Sequence, residues 1–237
     1  MRIISGMTHP VSTGSVPENL SPLPDIPVTK GLIVLLLVCY GITTFPTFTA
    51  PQEWAFLCFT YYTPSVIPLP PFEPFEWWRL ITANLMHGGL GHLASNVFML
   101  WIFGRMLEPV LGAKRMVWLY VLTGLSASVF LVLGDWLELI LWQAEPVPAL
   151  GASGMDYGVL GAAMMLQLMV RRIEQPERFG KDIMGYLVLV AVYTYMNLTE
   201  ANIGYWAHLG GFLMGLLLGW IYFQAILKNA RVSQAIS

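Results

Sequence analysis

Apolar residues in this chain form long, nearly unbroken runs that are separated by short polar segments. The runs cover approximately residues 31–49, 84–104, 114–134, 151–170, 182–197 and 203–227. A helix of about 20 apolar residues spans the hydrocarbon core of a bilayer. Most of the runs approach that length, so the pattern predicts six membrane-spanning helices, the fifth of which is short.

The composition supports this interpretation. Of the 237 residues, 56% are hydrophobic and only 11% are charged, whereas a soluble domain carries about 25% charged residues. We therefore predict an all-α membrane protein that lies in the lipid bilayer. The two cysteines, Cys39 and Cys58, match no metal-binding or redox spacing.

The distribution of charge predicts the orientation of the helices. With six spans, eleven of the twelve basic residues fall on one side, and only Arg79 falls on the other. Lys and Arg accumulate in short cytoplasmic loops. Both termini are therefore expected in the cytoplasm, which places Ser153 and His208 near the opposite, outer face.

The domain organisation follows from the same pattern. Residues 1–30 contain five prolines and few large apolar side chains, which is typical of a flexible cytoplasmic tail. A six-helix domain over 31–228 and a short cytoplasmic tail over 229–237 complete the prediction. With no pattern of a signal peptide, a presequence or a large extra domain, we expect a multi-pass protein of a prokaryotic cell membrane.

Two polar side chains lie inside the apolar runs. Ser153 begins the fourth run within Gly151-Ala152-Ser153-Gly154, and His208 lies in the sixth. Polar groups in hydrocarbon cost several kcal/mol unless they are satisfied, so such residues indicate function. Free backbone N–H groups at a helix start, here those of Ser153 and Gly154, suit a developing oxyanion.

Glycines at four-residue spacing after His208, and others after Ser153, allow two helices to approach closely. Close approach is what a Ser–His hydrogen bond requires. A role in helix packing alone accounts for the glycines but leaves His208 unexplained.

Three further polar positions have two readings each. Tyr157 lies one helical turn after Ser153, where its ring either stacks on His208 or simply packs. His92 and Asn96 are four residues apart, so they share a helix face. They either donate to an oxyanion or hydrogen-bond to each other.

Taken together, these motifs resemble those of the rhomboid intramembrane serine proteases. The matching elements, in order over residues 77–220, are Trp78-Arg79, the array His87, His92 and Asn96, Gly104-Arg105 with Glu108-Pro109 and Gly112, Gly151 to Gly154 with Tyr157, and Ala207-His208 with Gly211 and Gly215. The resemblance implies a six-transmembrane-helix rhomboid bundle with a Ser–His dyad and no catalytic aspartate.

In the family pattern, Ser153 is the nucleophile, His208 the general base, and Tyr157 supports the imidazole. The backbone N–H of Ser153 stabilises the oxyanion together with His92 and Asn96, and His87 lies near the cavity. The N–H of Gly154 is a further expected oxyanion donor. Trp78-Arg79 is a structural motif of the first loop. Asp156 departs from the pattern, and it is expected to face a cavity, pair with a histidine or reach the interface.

The expected activity is endopeptidase cleavage of transmembrane segments of single-pass membrane proteins near the outer face, without cofactor, metal or nucleic acid. The site would face the extracytoplasmic side. One alternative is an inactive rhomboid-like protein that binds membrane helices. Others are a six-span transporter or channel, and a zinc hydrolase using His87, His92 and His208.

Overall fold

The computed structural model describes residues 25–61, 76–197 and 204–236. The helices are α1 (Pro27–Thr44), α2 (Glu53–Phe59), α3 (Arg79–Thr82) with a 3-10 turn at Ala83–Leu85, α4 (Leu90–Leu111), α5 (Ala113–Trp142), α6 (Ser153–Glu174), a 3-10 turn at Pro176–Arg178, α7 (Phe179–Asn197) and α8 (Tyr205–Ile236). Most of the predicted N-terminal tail, residues 1–24, lies outside the described residues.

Helix α1 begins at Pro27, so the last residues of the predicted tail are helical. Proline is favoured in the first helical turn because its missing N–H would have no intrahelical partner there. The carboxylate of Glu108, on α4, accepts hydrogen bonds of 2.8 Å from the N–H groups of Val28 and Thr29 and one of 2.7 Å from the Thr29 hydroxyl. The Glu108 carboxylate therefore caps the N-terminus of α1. The sequence did not reveal this cap, because Glu108 and the start of α1 are about 80 residues apart.

The second predicted span, 84–104, is displaced along the chain. Met86 and Gly89 have extended backbones, so α4 begins only at Leu90 and continues to Leu111. Gly112 follows with φ of +78°, a conformation that favours glycine. This single residue separates α4 from α5.

Helix α5 extends eight residues beyond the predicted limit of 134, to Trp142. The extension is stabilised by Glu138, which accepts a 2.7 Å hydrogen bond from the indole N–H of Trp206 on α8. Helix α8 likewise continues to Ile236, so the segment predicted as a C-terminal tail is helical up to that residue.

Within the described residues the backbone is helical or irregular, apart from one isolated antiparallel bridge between Tyr61 and Ala149. Three of these helical segments are long and apolar enough to cross a membrane: Pro27–Thr44, Ala113–Trp142 and Tyr205–Asn229. This all-helical arrangement fits a membrane bundle. Much of helix α6 is covered by its neighbours, and three of its charged residues, Arg171, Arg172 and Glu174, lie in its last turn.

Charge is distributed unevenly along the bundle. One end of the bundle contains the start of α1 and the end of α4, which are in contact through Thr29 and Glu108. It also contains the end of α6, which contacts α7 through an ion pair of 3.9 Å between Arg171 and Asp182. Basic residues gather at this end of the bundle, namely Lys30, Arg105, Lys114, Arg115, Arg171, Arg172 and Lys181. Ser153 begins α6 at the opposite end.

Candidate active site

Ser153 and His208 are in contact. The Ser153 Oγ lies 2.8 Å from the His208 Nε2, and the histidine is only 8% exposed. The helices carrying them approach so closely that a Cβ at Gly211 would collide with the carbonyl oxygen of Gly154, and one at Gly215 with that of Gly158. The glycine pattern of both helices is therefore what brings the two side chains within hydrogen-bonding distance.

Tyr157 stacks on His208. The ring centroids are 4.3 Å apart, and the ring planes differ by 18°. The phenol oxygen of Tyr157 lies 2.7 Å from the Thr194 hydroxyl on α7. Sequence reasoning missed Thr194, although a hydroxyl in an apolar run was a signal that could have found it.

His87 and Asn96 form the innermost polar pair of the site. The Asn96 Nδ2 lies 2.9 Å from the His87 Nε2, and both side chains are fully buried. The amide donates in this bond when His87 is neutral with its proton on Nδ1. Asn96 is thus held by a histidine from the loop before its own helix.

His92 lies against the segment that leads to Ser153. A Cβ at Gly151 would lie 2.6 Å from the Cε1 and Nε2 of His92 and 3.7 Å from the Asn96 Nδ2. The His92 ring also meets the His87 ring edge-on, with centroids 5.1 Å apart. His92 and Asn96 therefore converge on the backbone just before Ser153.

Gly151 and Gly154 shape that backbone. Gly151 has φ of +128°, and its N–H donates to the Ala83 carbonyl at 2.9 Å. A Cβ at Gly154 would lie 2.5 Å from that of Ala127 on α5. The start of α6 is therefore fixed between neighbouring segments, with first-turn N–H groups that lack partners within the helix.

A small cavity of about 40 Å³ adjoins Ser153 and is lined in part by Asn84, Ser128 and Ala207. The Asn84 amide donates to the Ser128 hydroxyl at 3.1 Å, and that hydroxyl donates to the Leu80 carbonyl at 2.7 Å. The cavity has room for a water molecule beside polar groups. Asn84 and Ser128 were not among the predicted site residues, although both are polar positions within apolar runs.

Two residues outside the dyad have defined surroundings. Asp156 is 1% exposed, so it does not reach the interface, one of the three positions expected for it. Arg79 is buried, and its guanidinium donates to the carboxylate of Glu76 and the carbonyl of Thr60 at 2.6 Å each, and also to the Leu57 carbonyl. These bonds fit the structural role expected for Trp78-Arg79.

The three histidines of the zinc reading do not form a ligand cluster. His87 and His92 are neighbours, but across the described residues no three His, Cys, Asp or Glu side chains converge as metal ligands would.

The chain is similar in sequence to known proteins of one family. The Rhomboid domain family matches residues 74–225. The Rhomboid protease GluP of Bacillus subtilis is 30% identical over 140 residues, which are 59% of this chain and 25% of that protein.

Two eukaryotic proteins are similar as well. RHOMBOID-like protein 5 of Arabidopsis thaliana is 34% identical over 149 residues, 63% of this chain and 45% of that protein. Rhomboid protein 1, mitochondrial, of Saccharomyces cerevisiae is 32% identical over 219 residues, 90% of this chain and 60% of that protein. The chain spans less than two thirds of each of these three relatives. Since the family match covers more than half of the chain, the protein belongs to the rhomboid family.

Proposed function

We propose that this protein is an intramembrane serine endopeptidase that cleaves transmembrane segments of other membrane proteins near their outer ends. The observation that carries the proposal is the 2.8 Å contact between the Ser153 Oγ and the His208 Nε2, with Tyr157 stacked on the imidazole. Membership of the rhomboid family supports it.

In the proposed reaction, the Ser153 hydroxyl attacks the scissile carbonyl while His208 takes its proton at Nε2. The same nitrogen then protonates the leaving amine, and water hydrolyses the acyl-enzyme by the reverse proton path. An imidazolium forms during attack. The electron-rich face of Tyr157 stabilises this charge where a soluble triad would use an aspartate.

The oxyanion would be bound by backbone N–H groups of Ser153 and Gly154 together with His92 and Asn96. Support comes from the convergence of His92 and Asn96 on Gly151. His87 would act by holding one N–H of the Asn96 amide, which leaves the second N–H for the oxyanion. Such preorganised donors in a site of low dielectric constant lower the barrier most effectively.

Hydrolysis inside a bilayer requires water beside the nucleophile. The cavity bounded by Ser153, Asn84 and Ser128 has suitable size and polarity. A helical substrate must also unwind, because its carbonyls are engaged in hydrogen bonds four residues along. We therefore expect small or helix-breaking residues near the cleaved bond.

We further propose six membrane spans, with both termini in the cytoplasm and the site facing the extracytoplasmic side of the cell membrane. The basic end of the bundle supports this orientation. A cysteine introduced at Glu145, in a variant lacking Cys39 and Cys58, should react with an impermeant maleimide from outside intact cells. Labelling only after lysis would contradict the proposal and place this loop in the cytoplasm.

The central experiment compares cleavage of a model transmembrane substrate by the purified protein with cleavage by Ser153→Ala and His208→Ala. Each variant should lose roughly 10³-fold or more in kcat. Ser126→Ala is a matched control, because its hydroxyl bonds to the Gly210 carbonyl at 2.8 Å but lies outside the dyad. Equal cleavage by the wild type and Ser153→Ala would exclude the serine mechanism.

A fluorophosphonate that labels Ser153 separates the remaining possibilities. Labelling of the wild type, but not of His208→Ala, is expected for an active dyad. Absence of both labelling and cleavage across a broad substrate panel would favour the alternative, an inactive rhomboid-like protein that binds membrane helices.

A further inference from the structure

An apolar groove of about 630 Å³ runs between α1 and α4 on the outside of the bundle. Its walls include Val34 and Leu37 of α1 and Ala94, Phe98 and Trp101 of α4. Val34, Leu37 and Phe98 are each at least half exposed. On α4 the groove extends from Leu90 to Trp101, a helical rise of about 16 Å, so it is long enough to accept part of an extended hydrocarbon chain.

Two cations mark one end of this groove. Lys30 contributes directly to the lining, and the Arg105 guanidinium lies 5.8 Å from the centre of the Trp101 ring. Lys and Arg bind phosphate oxygens, and tryptophan favours the headgroup level of a bilayer. The end of the groove therefore has the chemistry of a phosphate site beside an apolar channel.

The local carboxylates do not cancel this charge. Asp25 pairs with the Lys30 ammonium at 3.1 Å, but the two side chains are 79% and 56% exposed, and such surface pairs contribute little free energy. The Glu108 carboxylate is buried and turned towards Val28 and Thr29. Arg105 lies one helical turn beyond Trp101, on the same face of α4, so it lies at the end of the groove that Trp101 lines.

We propose that this groove binds an anionic diacyl phospholipid, with one acyl chain along Ala94 and Phe98 and the phosphate between Lys30 and Arg105. A neutral lipid would fill the apolar part equally well. The paired cations provide the preference for an anionic headgroup, because each basic residue near a membrane surface strengthens such binding roughly fivefold. This site is separate from Ser153 and does not depend on the proposed proteolysis.

The test is native mass spectrometry of the purified full chain with dioleoyl phosphatidylglycerol or dioleoyl phosphatidylcholine, two lipids with identical chains. The wild type should retain phosphatidylglycerol preferentially. Lys30→Gln and Arg105→Gln should each weaken that binding roughly fivefold, while phosphatidylcholine binding stays unchanged. Lys114→Gln, which removes a cation at the same end of the bundle but away from the groove, is the matched charge control.

The apolar half of the site needs its own variant. Ala94→Phe inserts a ring into the groove and should displace both lipids, whereas Ala191→Phe, on an exposed position of α7, should displace neither. Thermal unfolding of both variants shows whether they fold. Val97→Phe, at the next residue of α4 that lines the groove after Ala94, provides a second blocking variant.

Three results would overturn the proposal. They are equal retention of the two lipids by the wild type, equal weakening by Lys114→Gln and Lys30→Gln, and unchanged phosphatidylglycerol binding in both blocking variants. A dimer that Ala94→Phe dissociates would instead assign the groove to a second copy of the chain.

Discussion

The ring of Tyr157 stacks on the imidazole of His208 with the ring centroids 4.3 Å apart, and its hydroxyl is 2.7 Å from that of Thr194. The face of the Tyr157 ring thus contacts the proposed general base, and the Tyr157 hydroxyl contacts helix α7. The first contact concerns the chemistry of His208, and the second concerns the position of α7. Substitutions can separate the two.

Tyr157→Leu removes the stack and should lower kcat about tenfold, because an aromatic pair contributes about 0.5–1.5 kcal/mol and the imidazole loses an orienting surface. Tyr157→Phe keeps the stack and loses only the bond to Thr194, so its kcat should stay close to that of the wild type. Thr194→Val should match Tyr157→Phe in both kcat and KM. A loss in Tyr157→Phe as large as in Tyr157→Leu would show that the hydroxyl, not the ring face, is the important group.

His87 is predicted to act through Asn96. Asn96→Ala should lower kcat roughly 10²-fold, the usual cost of one oxyanion donor, and His87→Ala should cost about tenfold because the amide remains but is less well oriented. Since the two side chains form one hydrogen-bonded unit, the double variant should be no slower than Asn96→Ala alone. Additive losses in this double-mutant cycle would contradict the positioning role of His87.

Gly151 should be the least replaceable residue of the loop before Ser153. Gly151→Ala introduces a side chain at φ of +128° and 2.6 Å from the His92 ring, a backbone strain of about 1–3 kcal/mol in addition to the collision. We expect cleavage to fall sharply while the protein still folds. Gly88→Ala is the matched control, since its nearest contact would be an ordinary 3.7 Å to Leu150, and equal activity of the two variants would refute the prediction.

Some residues of the candidate site could be predicted from the sequence, and others could not. Ser153, His208 and Tyr157 were identifiable because each is a polar or aromatic side chain at a helical spacing beside small residues. Local patterns do not encode contacts between distant segments, which is why the bonds of Glu108 with Thr29 and of Tyr157 with Thr194 were missed. The start of the second span was placed too early because residues 84–89 are apolar enough to continue a helix, while two glycines and an extended Met86 interrupt it.

Glu108 should be a major determinant of stability. It is 3% exposed and accepts three hydrogen bonds from the first turn of α1. Glu108→Ala leaves buried donors unsatisfied, at about 1–3 kcal/mol each, so the unfolding temperature should fall markedly. Thr29→Val removes one of the three hydrogen bonds, so the unfolding temperature should fall by about a third as much. An unchanged unfolding temperature in Glu108→Ala would contradict the role of Glu108 as the cap of α1.

The hydrogen bond between Glu138 and Trp206 predicts that the position of His208 depends on the C-terminal extension of α5. Trp206 lies two residues before His208 in the sequence. Its ring occupies the space left by Gly134, and its indole N–H donates a hydrogen bond of 2.7 Å to the Glu138 carboxylate. Glu138→Leu should therefore loosen the start of α8 and slow fluorophosphonate labelling of Ser153, whereas Glu138→Gln keeps an acceptor and should restore the rate. Trp206→Phe should reproduce the Glu138→Leu defect, and the combined variant should add nothing to it. If Glu138→Gln were as slow as Glu138→Leu, the charge of Glu138 rather than its hydrogen bond would have to be responsible.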